Sequence, residues 1–408
     1  MKKFNNKIEA VTWLESQVKF NNKKDLNLLL KAFNKLNLDL SKTKKIHIGG
    51  TNGKGSTAAF ISSALINNNL KVGLFTSPYL VNFNERIKIN NKDISDNDLL
   101  NLINFFYDFN EKLFNELNYK LSFFEIITLM AFKYFINNNC DVVIIEIGIG
   151  GRLDSTNIIN YDVTAITNIG FDHMKVLGNT LEEIALEKFG ALKTNGHLIT
   201  TSNNQELLLD EYSKKINATY YIIDKTLIKP VNKNLFYYKE NLFNINLLGD
   251  YQRENSVLAF ETIKYLYDFS DDKIIDSFKN TYWPGRLEEI IPNIYLDGAH
   301  NKPAIEALFK NINTIFKDKV VTVLFSALRD KDISEMLNII KSYNFKIFLT
   351  SFPDFRFESL KPFSNDKIKY VENSISLLNE LSDNIKENEV IIVTGSLHFI
   401  GYIKNNFN

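Results

Sequence analysis

Between residues 43 and 77 an apolar segment, TKKIHIGG, runs into a glycine-rich loop that leads straight into a helical segment, GKGSTAAFISSALINNN. A second apolar segment, KVGLFTS, follows this helix. Short apolar strands separated by helices are typical of βαβ units, whose strands lie parallel in one sheet. This feature therefore predicts an α/β fold with a parallel-rich central sheet.

The same alternation continues along the chain. VVIIEIG (142–148) and VTAITNI (163–169) are strand-like. The segment SFFEIITLMAFKYF (122–135) is apolar on most faces, as in a buried helix, and Ser122 with Glu125 fits a capping box at its start.

A second α/β series begins after residue 283. NIYLDG, VVTVLFS, FKIFLTS and EVIIVTG are strand-like, with helical stretches near 302–316, 330–343 and 373–386. Pro284 and Gly285 interrupt regular structure between the two series. We predict a first domain over 1–283, a linker and the start of the second domain over 284–295, and a smaller Rossmann-like domain over 296–408.

Charge and cysteine content restrict the partners and the compartment. The 408 residues carry 48 Lys+Arg and 48 Asp+Glu, a balance that argues against a general nucleic-acid binder. Cys140 is the only cysteine, so no intrachain disulfide can form and a reducing compartment is expected. The N-terminal segment lacks the apolar run of a signal peptide, and no run of 18 apolar residues occurs. We expect a cytoplasmic protein.

The loop HIGGTNGKGST (47–57) has the chemistry of a phosphate site. Its glycines allow backbone N–H groups to point at a phosphate, the helix N-terminus adds a favourable dipole, and Lys54 adds positive charge. Ser56 or Thr57 can offer a hydroxyl to Mg²⁺. The alternative is a glycine-rich turn without a ligand. A guanine-reading Asn-Lys-x-Asp tetrad occurs at 22–25, but it precedes the loop in an Asn/Lys-rich stretch, so ATP is favoured over GTP.

Polar side chains follow two of the predicted strands. Glu146 stands at the carboxyl end of VVIIEIG, where ligands bind in open α/β sheets, and a carboxylate there can hold Mg²⁺. The alternative is a glutamate that merely faces solvent. His173 follows TAITNIG, and from the residues alone it is a phosphate contact, a loop contact or a structural histidine, because imidazole is a poor Mg²⁺ ligand.

Lys188 is predicted to face the interior. A helix is expected over about 180–193, beginning with a capping box of Thr180 and Glu183. Its apolar residues share one face, and Lys188 falls in the middle of that face. A lysine in such a position must snorkel, pair or lose its charge.

Taken in order, several segments resemble the folylpolyglutamate synthase and dihydrofolate synthase family of Mur-type amide ligases. The resemblance covers nearly the whole chain. The segments that carry it are HIGGTNGKGST (47–57), TSPYLVNFNERI (76–87), SFFEIIT (122–128), EIGIGGRLDSTN (146–157), ITNIGFDHMKVLG (166–178), EKFGALK (187–193), GDYQRENSVLAF (249–260), PGRLE (284–288), LDGAHN (296–301) and TGSLHFIG (394–401). It implies a Mur-ligase-like, P-loop ATPase domain followed by a smaller Rossmann-like domain.

The resemblance also implies roles for individual residues. The nucleotide residues would be Asn52, Gly53, Lys54, Gly55, Ser56, Thr57, Asn255, Arg286, Asp297 and His300. The Mg²⁺ ligands would be Ser56, Ser77, Glu146 and His173, with Lys188 carbamylated so that it can help to hold a second ion. Lys54, His173, Lys188 and Arg286 would act in catalysis.

The implied substrate residues lie in both domains. Pro78, Tyr79, Phe123 and Phe124 are folate-pocket candidates, and Ser396 and His398 lie near the incoming glutamate in the family. The alternatives are a linker salt bridge for Arg286, a strand-end turn for Asp297 with His300, and helix core for the two phenylalanines. The chain departs from the family pattern at Phe189, which replaces a small residue, and at Lys302, which separates Asn301 from Pro303.

The implied activity is ATP-dependent ligation of L-glutamate to the glutamyl carboxylate of folate through an acyl phosphate, by a monomer that uses two Mg²⁺ ions. Dihydropteroate is a second candidate substrate. Two other hypotheses stay open: another Mur-type ligase, for which about 40 residues before the loop leave no room for a UDP-sugar domain, and a nucleotide-binding regulatory protein without turnover.

Overall fold

The computed structural model describes residues 4–18 and 25–407. Most of the 22–25 tetrad lies outside them. The chain forms two compact units: one comprises 1–229, 238–244 and 254–280, and the other comprises 230–237, 245–253 and 281–408. The predicted domain border at 283 lies close to the last of these divisions, whereas two shorter segments before it group with the second unit.

A parallel-rich sheet forms the centre of the first unit. Its order is β4-β3-β2-β5-β1-β6-β7-β8, and only the pairs β2–β3 and β3–β4 are antiparallel. The strands are β1 (Lys44–Gly49), β2 (Val72–Phe75), β3 (Ile87–Ile89), β4 (Lys92–Asp93), β5 (Val142–Glu146), β6 (Val163–Ile166), β7 (His197–Thr201) and β8 (Thr219–Ile223). The central strands β2, β5 and β6 are buried throughout, as expected for a sheet covered on both faces.

The helices before residue 283 are α1 (Lys7–Glu15), α2 (Asn27–Lys35), α3 (Lys54–Asn67), α4 (Asp96–Leu117), α5 (Phe123–Asn137), α6 (Met174–Leu177), α7 (Leu181–Phe189), α8 (Glu206–Lys215), α9 (Asp250–Leu266) and α10 (Asp271–Phe278). The predicted capping box at the start of α5 is present, since Ser122 N donates to Glu125 Oε2 at 2.7 Å. Phe135 of α5 packs under Gly73, where an added Cβ would come within 2.6 Å of the ring. The apolar helices α3 and α5 thus lie against the sheet, as their sequences predict.

Helix α7 ends at Phe189, four residues before the predicted end. Its capping box forms as expected, because Thr180 accepts a hydrogen bond from Glu183 N. The chain leaves the helix at Gly190, whose carbonyl oxygen accepts a hydrogen bond from Asn157 Nδ2 at 2.9 Å. A Cβ at Gly190 would lie 2.4 Å from Arg152 Cβ, so this close approach requires glycine. A partner distant in sequence therefore ends the helix early.

A small sheet, ordered β11-β10-β9, is built from β9 (Ile228–Pro230), β10 (Leu235–Tyr238) and β11 (Asn241–Asn244). Among the residues that the structure describes, no helix combines the length and apolar character needed to cross a bilayer.

The second unit contains a sheet of order β12-β13-β17-β14-β15-β16, parallel except for the edge pair β12–β13. Its strands are β12 (Glu288–Ile291), β13 (Ile294–Leu296), β14 (Val320–Phe325), β15 (Lys346–Ser351), β16 (Ile368–Asn373) and β17 (Glu389–Thr394). Its helices are α11 (Lys302–Ile315), α12 (Ile333–Lys341), α13 (Ser374–Asp383) and α14 (Leu397–Asn406). This arrangement confirms the predicted smaller α/β domain.

Candidate active site

Four neighbouring parallel strands of the first unit end at one edge of the sheet. The order β2-β5-β1-β6 and the register fix their relative heights: Phe75 pairs with Ile145, and Ile48 pairs with Glu146. On the other side of β1, Gly49 pairs with Ile166. The segments that contain Ser77, Glu146, the phosphate loop and His173 therefore all leave the sheet at this edge, where α/β sheets bind ligands.

The phosphate loop is tied to the turn that follows β6. Thr51 N donates to Asn168 O at 2.9 Å, and Asn52 N donates to Asn168 Oδ1 at 2.9 Å. Thr167 Oγ1 donates to Asn52 O at 2.6 Å. Gly50 has φ +131°, and a Cβ there would lie only 1.9 Å from Thr167 Oγ1. The turn after β6 thus helps to fix the shape of the loop that follows the neighbouring strand β1.

Helix α3 begins at the loop in the way that anion sites require. Gly53, its N-cap, has φ +88°, and a Cβ there would lie 2.4 Å from Asn255 Oδ1, which places Asn255 beside the loop. Ser56 and Thr57 are buried in the first turn, and Thr57 Oγ1 has no hydrogen-bond partner among the described residues. The first N–H groups of a helix point outward along its axis, so the backbone at Gly55 can face an anion here.

The Lys54 ammonium folds back over its own loop. Its Nζ donates to the carbonyl oxygens of Gly50 and Thr51, each at 3.1 Å. These are neutral acceptors, which a negatively charged phosphate can replace as the preferred partner of an ammonium. The geometry suits a lysine that binds a phosphate.

Glu146 and Ser77 meet at the ends of β5 and β2. Glu146 is buried, and its Oε2 accepts a hydrogen bond from Ser77 N at 3.3 Å. The Ser77–Pro78 peptide bond is cis. A buried carboxylate at the carboxyl edge of the sheet is a hard oxygen ligand that fits a divalent cation.

His173 follows β6 at the N-terminus of α6 and adopts a left-handed conformation with φ 52°. Its side chain is 41% exposed, and Nε2 lies 3.9 Å from Asp172 Oδ2. Among residues 4–18 and 25–407, no group of three or more His, Cys, Asp and Glu side chains is arranged as a metal site. The proposed ligands include only two such side chains, so hydroxyl and phosphate oxygens would have to complete the coordination.

Lys188 is buried, as predicted from its helix face, with 3% of its surface exposed. The pKa of Lys188 is lowered from 10.5 to about 7: burial is the main cause, the positive charge of Lys54 adds to it, and Asp172 opposes the change. Near neutral pH a large fraction of the Lys188 amine is therefore uncharged and nucleophilic. Phe189 points elsewhere, into an apolar cluster with Ile166 and Leu198.

The glycine-rich loop after β5 lies against the end of α7. Arg152 N donates to Glu187 O at 2.8 Å, and a Cβ at Gly151 would come within 2.8 Å of Lys188 O. The segment that begins at Glu146 therefore contacts the helix that carries Lys188.

Two of the folate-pocket candidates pack against a buried arginine, Arg86, that the sequence did not lead us to assign. The guanidinium carbon of Arg86 lies 5.0 Å from the ring centroid of Tyr79 and 5.5 Å from that of Phe123. Phe124 approaches Gly148, where a Cβ would be 2.6 Å from its ring. Burial lowers the pKa of Arg86 to about 10, and the guanidinium stays charged at neutral pH. In the sequence, the aromatic residues of TSPYLVNFNERI near Arg86 were the signal that could have identified this arginine.

In the second unit, Asp297 lies buried at the end of β13. It accepts hydrogen bonds from Leu287 N and Ala299 N, both at 2.9 Å. Burial raises the pKa of Asp297, while Arg286 and these two donors oppose that change. The Arg286 guanidinium donates to Gly285 O at 3.0 Å. The structure therefore brings Arg286 and Asp297 together.

His300 and Tyr251 complete this part of the second unit. His300 Nδ1 contacts Gly298 O at 2.8 Å, so Nδ1 is the donor and Nε2 carries the lone pair in the neutral ring. Tyr251, which the sequence analysis did not single out, lies close enough to Asp297 and Arg286 for their charges to act on its hydroxyl, whose pKa is raised by burial. No local pattern distinguishes Tyr251 from other tyrosines.

Ser396 and His398 lie at the end of β17, where Ser396 Oγ accepts a hydrogen bond from His398 N at 3.2 Å. Ser396 is the N-cap of α14. The pair is thus fixed at the carboxyl edge of the second sheet.

Family comparisons agree with this architecture. Residues 48–263 match the Mur ligase middle domain, and residues 285–397 match the glutamate ligase domain of Mur ligases. With the phosphate loop at the edge of a parallel-rich sheet and a second α/β unit, the chain is a Mur-type ligase by class.

Individual relatives define the family more narrowly. The chain is 34% identical to dihydrofolate synthase/folylpolyglutamate synthase of Bacillus subtilis (strain 168), with 97% of this chain and 98% of that protein covered. Folylpolyglutamate synthase of Thermotoga maritima is 28% identical, with a TM-score of 0.83 over 98% of this chain and 96% of that one. A folylpolyglutamate synthase complex with AMPPCP and folate is 27% identical, with a TM-score of 0.82 and 98% of each chain covered. The chain belongs to the folylpolyglutamate synthase/dihydrofolate synthase family, which confirms the resemblance.

Proposed function

We propose that this chain is an ATP-dependent ligase that joins L-glutamate to the glutamyl carboxylate of folate. The observation that carries the proposal is the convergence of the phosphate loop, Glu146 and Lys188 around one edge of the sheet. The relative solved with AMPPCP and folate supports both a nucleotide and a folate substrate. The two activities in the name of the Bacillus subtilis relative support dihydropteroate as a second acceptor.

The chemistry requires activation of a carboxylate. A free amine cannot displace oxide from a carboxylate, whereas phosphate leaves readily from an acyl phosphate. The loop N–H groups and Lys54 hold the ATP phosphates, and Lys54 with Arg286 neutralises charge on the transferring phosphoryl group. The glutamate amine then attacks the acyl carbon and releases phosphate. Asn255, Asp297 and His300 are assigned to the nucleotide.

A divalent cation fits the buried carboxylate and the hydroxyls at this edge. We assign Ser56, Ser77, Glu146 and His173 as the residues that would hold Mg²⁺, which when bound would neutralise phosphate charge. The uncharged Lys188 amine supports carbamylation: its Nζ adds to CO₂ and releases one proton, and the resulting carbamate would help to hold a second Mg²⁺. Phe189 leaves room for this group because its ring lies in the apolar cluster.

Residues outside the phosphate and metal site are assigned to the two other substrates. Pro78, Tyr79, Phe123 and Phe124 are proposed to contact folate, and Ser396 with His398 to contact glutamate. We assign 1–283 as the ATP-binding domain and 296–408 as the glutamate-ligase domain. The balanced charge and the single cysteine support a cytoplasmic protein that acts on small molecules without nucleic acid. We also propose a monomer.

Two substitutions test the central proposal. Lys54→Ala removes the phosphate-binding ammonium, and Glu146→Gln removes the carboxylate charge. Each is expected to lower folate- and glutamate-dependent ADP release by about 100-fold or more. Lys214→Ala is the matched control, because Lys214 is 75% exposed in a surface ion pair with Asp210. Near-normal turnover in both active-site variants would refute the mechanism, and a wild-type protein that binds ATP without turnover would favour the regulatory hypothesis.

A further substitution tests carbamylation. Lys188→Ala is expected to abolish most ligation, with partial recovery when short carboxylates such as acetate or propionate are added. Intact-mass measurement of the active wild type under non-denaturing, neutral conditions should show one added CO₂ that is absent from Lys188→Ala. An active enzyme whose Lys188 is unmodified in solution would contradict the assignment.

A further inference from the structure

The second unit has a topological switch point beside β17. The sheet order places β17 between β13 and β14. Helix α12, which follows β14, packs with α11, whereas α14, which follows β17, packs with α13. The chain thus leaves these two adjacent parallel strands toward different helix pairs. Such a point opens a crevice at the carboxyl ends of the strands, where ligands bind in α/β sheets.

A carboxylate is held in place at the end of β15, one strand further along this edge. The side chain of Asp354 is only 11% exposed and is paired with Arg356: Nε donates to Oδ1 at 3.0 Å and Nη2 donates to Oδ2 at 2.8 Å. Arg356 N also donates to Oδ1 at 2.9 Å. These donors lower the pKa of Asp354 against the opposing effect of burial, so the group is ionised at neutral pH.

His398 faces this carboxylate. Its Nδ1 lies 3.9 Å from Asp354 Oδ2, and its side chain is 39% exposed. Phe352 packs against Phe399 with ring centroids 5.3 Å apart, which holds the loop containing Asp354 against α14. Catalytic contacts of this kind are often long before substrate binds and shorten in the reacting complex. An imidazole that donates Nδ1–H to such a carboxylate in the reacting complex has Nε2 as the ring nitrogen that accepts a proton.

The ligation requires such an acceptor. The ammonium group of an amino acid is protonated at neutral pH and has no lone pair with which to attack. The proposed function assigns this part of the second unit to glutamate but names no group that removes the proton. A partly exposed imidazole next to an ionised carboxylate has the necessary chemistry.

We propose that His398 accepts the proton that the incoming glutamate ammonium must lose, and that Asp354 is a positioning residue that orients His398. The inference rests on the proposed ligase function. One ammonium proton passes to His398 Nε2. The nitrogen lone pair forms the bond to the acyl carbon, the bond from that carbon to the phosphate oxygen breaks with its electron pair, and the second proton leaves with the phosphate. His398 then returns its proton to solvent.

A purely structural role makes a different prediction. If the Asp354–Arg356 pair only stabilises its loop, replacing Asp354 or His398 would reduce reaction with every amine equally. Hydroxylamine separates the two cases, because it is largely unprotonated at neutral pH and traps an acyl phosphate as a hydroxamate without needing a base.

The experiment compares wild type, His398→Asn, His398→Gln and Asp354→Asn, with Asp276→Asn as the control because Asp276 is an exposed aspartate on α10. With saturating glutamate at pH 7, both His398 variants are expected to lose about 100-fold in turnover and Asp354→Asn about tenfold, and turnover of the His398 variants should recover as the pH rises above the pKa of the glutamate amine, which a lost binding contact would not allow. With hydroxylamine, folate and ATP, hydroxamate formation should stay within about threefold of wild type, because no proton acceptor is needed. The double variant His398→Asn/Asp354→Asn should lose no more than His398→Asn alone, since Asp354 acts through His398.

The outcomes separate clearly. Retained glutamate turnover in both His398 variants would overturn the inference, as would a parallel loss with glutamate and hydroxylamine or an additive loss in the double variant. A wild type that releases no ADP with folate and either amine would overturn the proposed function itself. Hydroxamate formation by each variant also shows that it is folded, so loss of structure cannot imitate the expected result.

Discussion

Replacing Lys188 by methionine would remove a buried amine while keeping a side chain of similar length and volume. In the folded chain the pKa of Lys188 is lowered from 10.5 to about 7, mainly by burial. Between pH 7 and 10.5 the unfolded chain therefore binds more protons at this position than the folded chain, so the free energy of unfolding rises with pH. The buried Lys188 amine therefore destabilises the folded chain most below pH 7, and this destabilisation disappears above pH 10.5.

The magnitude follows from the two pKa values. Each pKa unit corresponds to about 1.36 kcal/mol. The lowered pKa of Lys188 therefore reduces the free energy of unfolding of the wild type by about 4 kcal/mol at pH 7.5 and by about 2 kcal/mol at pH 9. Imperfect packing of the methionine side chain is expected to reduce the stability gained by the substitution by about 1 kcal/mol. Lys188→Met should thus be more stable than wild type by about 3 kcal/mol at pH 7.5, and this advantage should shrink steadily with rising pH. The same variant should have no ligase activity.

The assay is urea unfolding of the first unit in EDTA and CO₂-depleted buffer, which keeps Lys188 unmodified. Trp13 lies in the first unit and Trp283 in the second, so a Trp283→Phe background makes tryptophan fluorescence report on the first unit. A Lys188→Met variant that is less stable than wild type at pH 7.5, or an advantage that does not change between pH 7.5 and 10, would refute the reasoning.

Two further substitutions test the loop and a helix cap. Gly53→Ala forces an alanine to φ +88° and its Cβ to within 2.4 Å of Asn255 Oδ1, so nucleotide affinity measured by calorimetry should fall about tenfold or more, and unchanged affinity would contradict the geometry. Thr180→Ala removes the acceptor for Glu183 N and should lower the free energy of unfolding by about 1 kcal/mol while nucleotide affinity stays constant. A loss of affinity in Thr180→Ala would show that the cap also shapes the site.

Features encoded over a few residues were predictable from the sequence. Both capping boxes, the strand before the phosphate loop, and Glu146 at the end of β5 follow from periodicity and from residue types three or four positions apart. The inward direction of Lys188 followed in the same way, because its helix face is defined locally. Burial then explains its lowered pKa.

Contacts between residues distant in sequence were not predictable. Asn168 holds a loop that lies 116 positions earlier, and Asn157 ends α7 from 33 positions away. Arg86, in the segment just before β3, contacts Phe123 of α5, and the segments 230–237 and 245–253 belong to the second unit. Periodicity carries no information about such pairs, because they depend on strand order and on which loops meet at a sheet edge.

The attachment of the phosphate loop to the turn after β6 has a consequence for how ATP affinity can change. Since hydrogen bonds to Asn168 and Thr167 already hold the loop, little conformational entropy is lost when the triphosphate enters, and most of the contact energy becomes affinity. A substitution at Asn168 would loosen the loop and make each nucleotide-binding event repeat that ordering. Nucleotide affinity is thereby sensitive to a side chain that need not touch the nucleotide.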